Sequence, residues 1–233
     1  MKKNLLEFDG LTIEVLRKPI KNIHLRIYPP DGQIKVSAPL RLHLDLIRHQ
    51  IEAKREWIHA QRTKLRARSY SPPLAFETGE PHDFLGKTYS LIVHEAKHSP
   101  MVLIQQDSIL CYTRTNARAE DRKILLENWY RQQMKALLPE LFRKWEGIIG
   151  VTASSWGIKS MKTRWGSCNT TKRRIWLNLN LITKPLPCLE YVLVHELVHL
   201  LEASHNKRFH AFMDQFLPQW RDLKNQLEEK PLR

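Results

Sequence analysis

The feature that most constrains this 233-residue chain is a short apolar segment, 191–201, that carries three polar groups. Every residue in it is hydrophobic except His195, Glu196 and His199. Because apolar residues flank these groups on most sides, the pattern predicts a helix over about 188–203 that lies centrally in the core. Burying two imidazoles and a carboxylate is costly unless they are paired, and a divalent metal ion would satisfy all three.

The spacing of these groups matches the chemistry of a catalytic zinc site. His195 and His199 are four residues apart and share one helix face, so both imidazoles can reach one Zn2+ ion. Glu196 follows the first ligand and can face a water molecule without binding the metal, as a general base requires. The alternative is that both histidines are ordinary core residues held by hydrogen bonds.

A catalytic zinc site also needs a third protein ligand and an open coordination position. His205 is the best candidate, provided that the helix ends first, because a continued helix would carry it away from the other two ligands. Ser204 and Asn206 are turn and capping residues that permit this ending. Glu202 and His210 are the alternative ligands.

The charge of the chain is strongly positive and unevenly distributed. There are 38 Lys and Arg residues against 24 Asp and Glu, a formal net charge of +14. No acidic residue lies between Glu146 and Glu190, although seven basic residues lie within 159–184. Such a run is commonly a solvated surface, but it also suits DNA or another polyanion as a partner.

Changes of hydrophobic period indicate an α+β fold, and they divide the chain. Residues 1–72 are predicted to form two or three antiparallel strands and then one amphipathic helix over 42–67. The pair Pro72-Pro73 closes this unit, and 73–116 adds further strands of the N-terminal part.

The remaining part, 117–233, is predicted to be the catalytic domain. Its long helix over 119–147 contains Pro139, which is expected to kink or divide it. Two strands, over 156–164 and 174–181, precede the apolar helix. One last amphipathic helix closes the chain.

Membrane insertion and secretion are not expected. No apolar run approaches the roughly 18 residues that a membrane span needs. The N-terminus turns acidic at Glu7, before the apolar core of a signal peptide could form. Cys111, Cys168 and Cys188 are odd in number and far apart, which argues against a disulfide framework. We therefore predict a cytoplasmic protein.

Several of these segments together resemble the YgjP-like zinc metallopeptidases, which are related to the SprT-like metalloproteases. The resemblance is carried by Arg164-Trp165-Gly166-Ser167-Cys168, Ile175 to Leu181, Tyr191 to His199, His205-Asn206 and Phe209. It is specific over 160–212 and looser over the N-terminal region.

The resemblance implies a zincin-like, or gluzincin-like, catalytic domain. One zinc ion would be held by His195, His199 and His205, with Glu196 as the catalytic base. Metzincins share the spacing to the third histidine but have glycine where this chain has Glu202, which argues against that subgroup.

In zincin folds a strand beside the cleft pairs with extended substrate, and 174–180 is the candidate because it precedes the active helix. The predicted substrate-binding residues are Arg164, Trp176, Asn178 and Asn180. A structural ion pair is the alternative role of Arg164.

The sequence thus predicts a zinc endopeptidase that acts on protein or peptide substrates. Two alternatives stay open. One is a protease that acts on DNA-bound or crosslinked proteins, and the other is a non-catalytic basic protein that binds nucleic acid.

Overall fold

The protein has a mixed α+β fold. The computed structural model describes residues 3–28, 32–67, 74–96 and 99–229. The chain divides into two compact units, Met1–Pro73 and Leu74–Arg233. The predicted boundary residues Pro72 and Pro73 themselves lie outside the described residues.

The first unit contains a four-stranded sheet, two helices and a hydrophobic core of its own. Its elements are β1 (Lys3–Phe8), β2 (Leu11–Lys18), β3 (His24–Tyr28), β4 (Gln33–Pro39), α1 (Leu44–Glu52) and α2 (Arg55–Ala67). The strand order is β1-β2-β4-β3. The expectation of antiparallel strands is wrong for one pair, because β2 and β4 are parallel. The intervening strand β3 pairs antiparallel with the other edge of β4.

The segment 42–67, predicted as one helix, forms two. Ala53 is the C-cap of α1, and α2 begins two residues later. Ile47, Ile51 and Ile58 are all buried in the same core. Because the hydrophobic period continues across the break, the sequence pattern did not reveal it.

The second unit begins with another four-stranded sheet, in the order β5-β6-β8-β7. Its strands are β5 (Pro81–Phe84), β6 (Lys87–Glu95), β7 (Met101–Gln105) and β8 (Ser108–Thr113). The sequence analysis placed 73–116 with the N-terminal part. In the structure Leu91 and Ile109 share a core with Leu126 and Trp129 of the long helix α3 (Ala119–Ile149) instead.

Pro139 does not divide α3, which is continuous through it. A proline inside a helix removes one backbone hydrogen bond and crowds the preceding turn. The adjacent residues Leu138, Leu141 and Phe142 are buried in the core. This packing on both sides of the proline outweighs its local cost.

A three-stranded sheet follows, with the order β10-β11-β9. Its strands are β9 (Ser155–Lys159), β10 (Gly166–Asn169) and β11 (Arg174–Asn178), and a short 3-10 helix, Leu179–Thr183, follows directly. β11 is the central strand, antiparallel to β10 and parallel to β9. The expectation that 174–180 pairs with substrate is therefore wrong, because both edges of that strand are already hydrogen-bonded.

Three helices complete the second unit: α4 (Leu186–Val198), α5 (Lys207–Phe216) and α6 (Trp220–Glu229). Pro185 and Pro187 stand at the start of α4, where a missing N–H costs little. Pro218 separates α5 from α6, so the last helix is two helices rather than one. In the described part of the chain, no helix combines the length and hydropathy needed to cross a membrane.

Candidate metal centre

The end of α4 positions the polar groups of the apolar segment. His195 and Glu196 lie in its last turn, and His199 is its C-cap residue. The helix ends at Val198 because the following turn tightens: the Leu200 N–H bonds to the carbonyl three residues earlier, at 2.9 Å. The chain leaves the helix axis here, as a third ligand at position 205 requires.

A short turn brings His205 back to α4. Asn206 starts the next helix, and its Oδ1 accepts a hydrogen bond from the Phe209 N–H at 3.0 Å. The Nε2 atoms of His205 and His195 are 3.0 Å apart. His199 completes the group: one ring nitrogen from each of the three histidines lies within 4.8 Å of the other two. Nitrogens bound to one tetrahedral zinc ion are about 3.3 Å apart, so this donor set fits a shared metal ion.

The turn also orients His199. Its Nδ1 lies 3.2 Å from the Glu202 carbonyl oxygen, an acceptor that leaves Nε2 available as a ligand atom. The Glu202 carboxylate accepts hydrogen bonds from the Ser204 N–H and hydroxyl, at 3.2 and 3.0 Å. Within the described ranges, neither Glu202 nor His210 belongs to the group of side chains that could hold a metal ion.

Phe209 contacts all three histidines at once. Its ring centroid is 4.9 Å from that of His195, 4.8 Å from that of His199 and 4.7 Å from that of His205. The phenyl ring is itself fully buried. It therefore restricts the rotation of all three imidazoles and helps to preorganise the ligand set.

We expect Phe209→Leu to lower zinc affinity by about 10- to 100-fold, the usual effect of losing a group that orients metal ligands. Leucine keeps the surroundings apolar but cannot contact three rings together. Competition with a chromophoric chelator measures the affinity. Phe212→Leu is the matched control, because Phe212 stacks on Phe216 in the same helix. Equal zinc affinities for the two variants would contradict the role given to Phe209.

The electrostatic environment keeps the histidines in the form that binds metals. Burial, together with the neighbouring imidazoles, lowers the pKa of His195 to about 3. Burial also lowers the pKa values of His199 and His205. All three rings are therefore neutral at pH 7, and no ring has to lose a proton before its nitrogen lone pair can bind a metal ion.

Glu196 is a buried carboxyl group beside this cluster. It is 5% exposed, and burial raises its pKa to about 8, although the positive charge of Arg164 acts in the opposite direction. Gly166, the first residue of β10, packs against it. A Cβ atom at Gly166 would lie 2.5 Å from Oε1 and 2.8 Å from Cγ of Glu196. The carboxylate thus occupies the space that any other residue at 166 would need.

With Glu196 as the predicted general base, we expect Gly166→Ala to displace its side chain and to reduce the predicted peptide hydrolysis by about 100-fold, the cost typical of misplacing a catalytic group by an ångström. The predicted zinc ion should be retained, since the atoms nearest to the new methyl group all belong to Glu196. Steady-state rates and metal analysis measure the two effects. Gly147→Ala is the control, because nothing lies within 4 Å of its Cβ position. Full activity in Gly166→Ala would show that Glu196 does not need its present position.

Two predicted substrate-binding residues have other places in the fold. Asn178 is fully buried, and its Nδ2 donates hydrogen bonds to the carbonyls of Met161 and Arg164, both at 2.7 Å. It holds the loop 160–165, so its amide is not free for a substrate and that expectation is corrected. Asn180 lies in the 3-10 helix rather than on β11, because the Asn178 Oδ1 accepts from its N–H and ends the strand.

The other two predicted residues lie at different positions around the three-stranded sheet. Arg164 is exposed, and its charge reaches Glu196. Trp176 lies on β11 with two cations, Lys159 and Arg174, over its ring, and it is not part of the hydrophobic core. The structure therefore places the charge of Arg164 near Glu196 of the candidate metal centre, whereas Trp176 lies on another surface.

The sequence analysis did not assign a role in the site to Gly166 or Phe209. Both residues lie in the segments that carried the family resemblance. A glycine among strand residues indicates a close approach of another group, and this signal could have identified Gly166. In the sequence, Phe209 is one of several apolar residues at helical spacing, and the periodicity does not distinguish it from the others.

Comparison with known proteins defines the class. The profile of the family described as "YgjP-like, metallopeptidase domain" matches residues 21–230. The match defines a metallopeptidase, a hydrolase that uses a metal ion, and it covers most of the chain. The chain belongs to the YgjP-like family.

Among solved structures, the chain is similar to the crystal structure of the metallopeptidase zymogen of Pyrococcus abyssi abylysin. The TM-score is 0.39 and the sequence identity is 19%, over 42% of this chain and 97% of that one. None of the curated proteins matches the chain.

Proposed function

We propose that the chain is a zinc endopeptidase with a zincin-like arrangement, in which His195, His199 and His205 hold one zinc ion and Glu196 is the general base. The observation that supports this most strongly is the convergence of three neutral ring nitrogens beside a buried carboxyl group. Three protein ligands with one open position are typical of catalytic zinc sites, and imidazole nitrogens suit zinc.

The chain's own residues supply proton transfer and positioning. A zinc ion held by the histidines would act as a Lewis acid toward water and toward the scissile carbonyl. Glu196 would take a proton from the attacking water and deliver it to the leaving amine. The positive charge of Arg164 favours the ionised Glu196 that accepts the proton, whereas burial favours the protonated form that donates it.

In this proposal the substrate pairs with β10. One edge of β10 is hydrogen-bonded to β11, and the other takes part in no strand pair among the described residues. The strand begins at Gly166, directly beside Glu196. An extended peptide added to that edge would lie close to the general base.

Metal removal tests the proposal. The purified chain should cleave an unfolded protein such as reduced casein at internal bonds, lose this activity after dialysis against a zinc chelator, and regain it when zinc is added. Chelator already saturated with zinc is the control and should not inhibit. Hydrolysis that survives complete removal of metal would contradict a metal-dependent mechanism.

A protease that acts on DNA-bound proteins is the second candidate. It is favoured by the basic residues of 159–184, of which Lys159 and Arg174 form no ion pair with any described residue. The third possibility, a non-catalytic binding protein, does not explain Glu196, because a structural zinc site needs no such carboxyl group.

A further inference from the structure

The three-stranded sheet has one face in the core and one face outside it. On β11, Ile175 and Leu177 are fully buried in the core of the second unit. Successive residues of a strand point to opposite faces, so Arg174 and Trp176 lie on the other side. Trp176 is partly exposed and does not belong to the core. We call this side, with Lys159 of the neighbouring strand, the outer face.

Trp176 lies flat on this outer face. It is paired with Gly157 across β9 and β11, and a Cβ atom on Gly157 would lie 2.8 Å from Cε3 of the indole. Only glycine therefore allows the ring to lie so close to the backbone. The other face of the ring is turned away from the sheet, and the exposed Lys159 side chain lies over it.

Two cations lie over the indole ring. The Lys159 Nζ lies 4.2 Å from the ring centroid, and the Arg174 Cζ lies 5.5 Å from it. Neither forms an ion pair with any residue in the described part of the chain, and the segment between Glu146 and Glu190 has no acidic residue. The positive charge of this face is thus not neutralised by nearby acidic groups of its own segment.

Polar and basic groups continue around the ring. Ser167 is paired with Trp176 in the register of β10 and β11, and Asn169 is paired with Arg174. The loop 160–165, held by Asn178, carries the exposed residue Lys162. The outer face therefore combines an aromatic platform, hydrogen-bonding side chains and cations.

We propose that the outer face binds single-stranded nucleic acid. Surfaces of this kind stack bases on aromatic rings and place Lys and Arg on the phosphates. In a duplex the base faces are already stacked on one another, so the indole suits an unpaired base, which would displace the exposed Lys159 side chain from the ring toward a phosphate. An acidic polypeptide would need the cations but not the ring. This binding deepens the second candidate function, a protease that acts on DNA-bound proteins, but its test measures binding alone and does not depend on peptidase activity.

The test is fluorescence anisotropy with a labelled oligo(dT) of about 15 nucleotides, within the usual site size for such surfaces. We expect Lys159→Gln with Arg174→Gln to weaken binding by at least about tenfold and to reduce the salt slope by about 1.4, since each phosphate contact contributes about 0.7 for single strands. Trp176→Leu should weaken binding by at least about fivefold through lost stacking. Trp176→Phe, which keeps an aromatic ring, should retain most of the affinity.

The matched control removes the same charge from another surface. Lys135 and Arg143 are exposed on α3, and Lys135→Gln with Arg143→Gln should leave affinity nearly unchanged. An equal loss in this control would mean that net charge alone attracts the oligonucleotide, and would overturn the proposal. Wild-type affinity in Trp176→Leu would also overturn it. So would competition by polyglutamate or duplex DNA that is as strong as competition by unlabelled oligo(dT). Thermal unfolding measures whether each variant is folded. If Trp176→Leu is not folded, the outer face is tested instead by Trp176→Phe and by Lys159→Gln with Arg174→Gln.

Discussion

Glu196→Gln should eliminate most peptide hydrolysis while the protein keeps its full complement of metal. Glutamine has nearly the same size as glutamate and fits the space against Gly166, but it cannot accept a proton from water. Loss of a general acid–base group typically costs about 10²- to 10⁴-fold in turnover. The rate of cleavage of an unfolded protein and elemental analysis of the same preparation measure the two quantities.

The matched control for this substitution is Glu202→Gln. Glu202 lies near the same ligands, but its carboxylate accepts hydrogen bonds from Ser204 within the turn. This variant should retain hydrolysis within about tenfold of wild type, since only an exposed turn is affected. Undiminished turnover in Glu196→Gln would remove the general base from the proposed mechanism and leave its buried carboxyl group without an explanation.

His205→Ala should lose tightly bound zinc. The other two ligands lie at the end of one helix, and a site with only two protein ligands lacks the three that catalytic zinc sites use. Protein purified without added metal should contain about one zinc ion per chain in the wild type and far less in the variant. Elemental analysis of metal per chain measures the difference.

His210→Ala controls for the loss of an imidazole. His210 stacks on Trp220 at a centroid distance of 5.5 Å, outside the group of ring nitrogens that could hold a metal ion, and it was an alternative ligand on sequence grounds. This variant should retain its zinc. If His210→Ala lost zinc and His205→Ala did not, the ligand set would have to be reassigned.

Local signals in the sequence were sufficient for much of the site. His195, Glu196 and His199 are close in sequence, so one helical turn determines their arrangement. The prediction that the helix ends before His205 follows from the turn-forming residues after it, and the structure has this ending at Val198. The class of protein was also predicted, through the segments that resemble the YgjP-like family, and is confirmed.

Features that depend on contacts distant in sequence were not predictable. The central position of β11 results from pairing with β9 on one side and β10 on the other, and hydrophobic alternation carries no information about neighbours. The buried role of Asn178 depends on a loop that folds back over the end of its strand. In the same way, Phe209 contacts three histidines only because α5 returns beside α4.

The edge of β10 has a consequence for what this peptidase would select. A strand that joins a sheet edge is recognised through amide and carbonyl groups, which every polypeptide has, more than through particular side chains. Entry would then require that a segment leave its own fold and become extended. Susceptibility would follow the local unfolding free energy of each target, so the same polypeptide would be spared when folded and cut when damaged or incompletely folded.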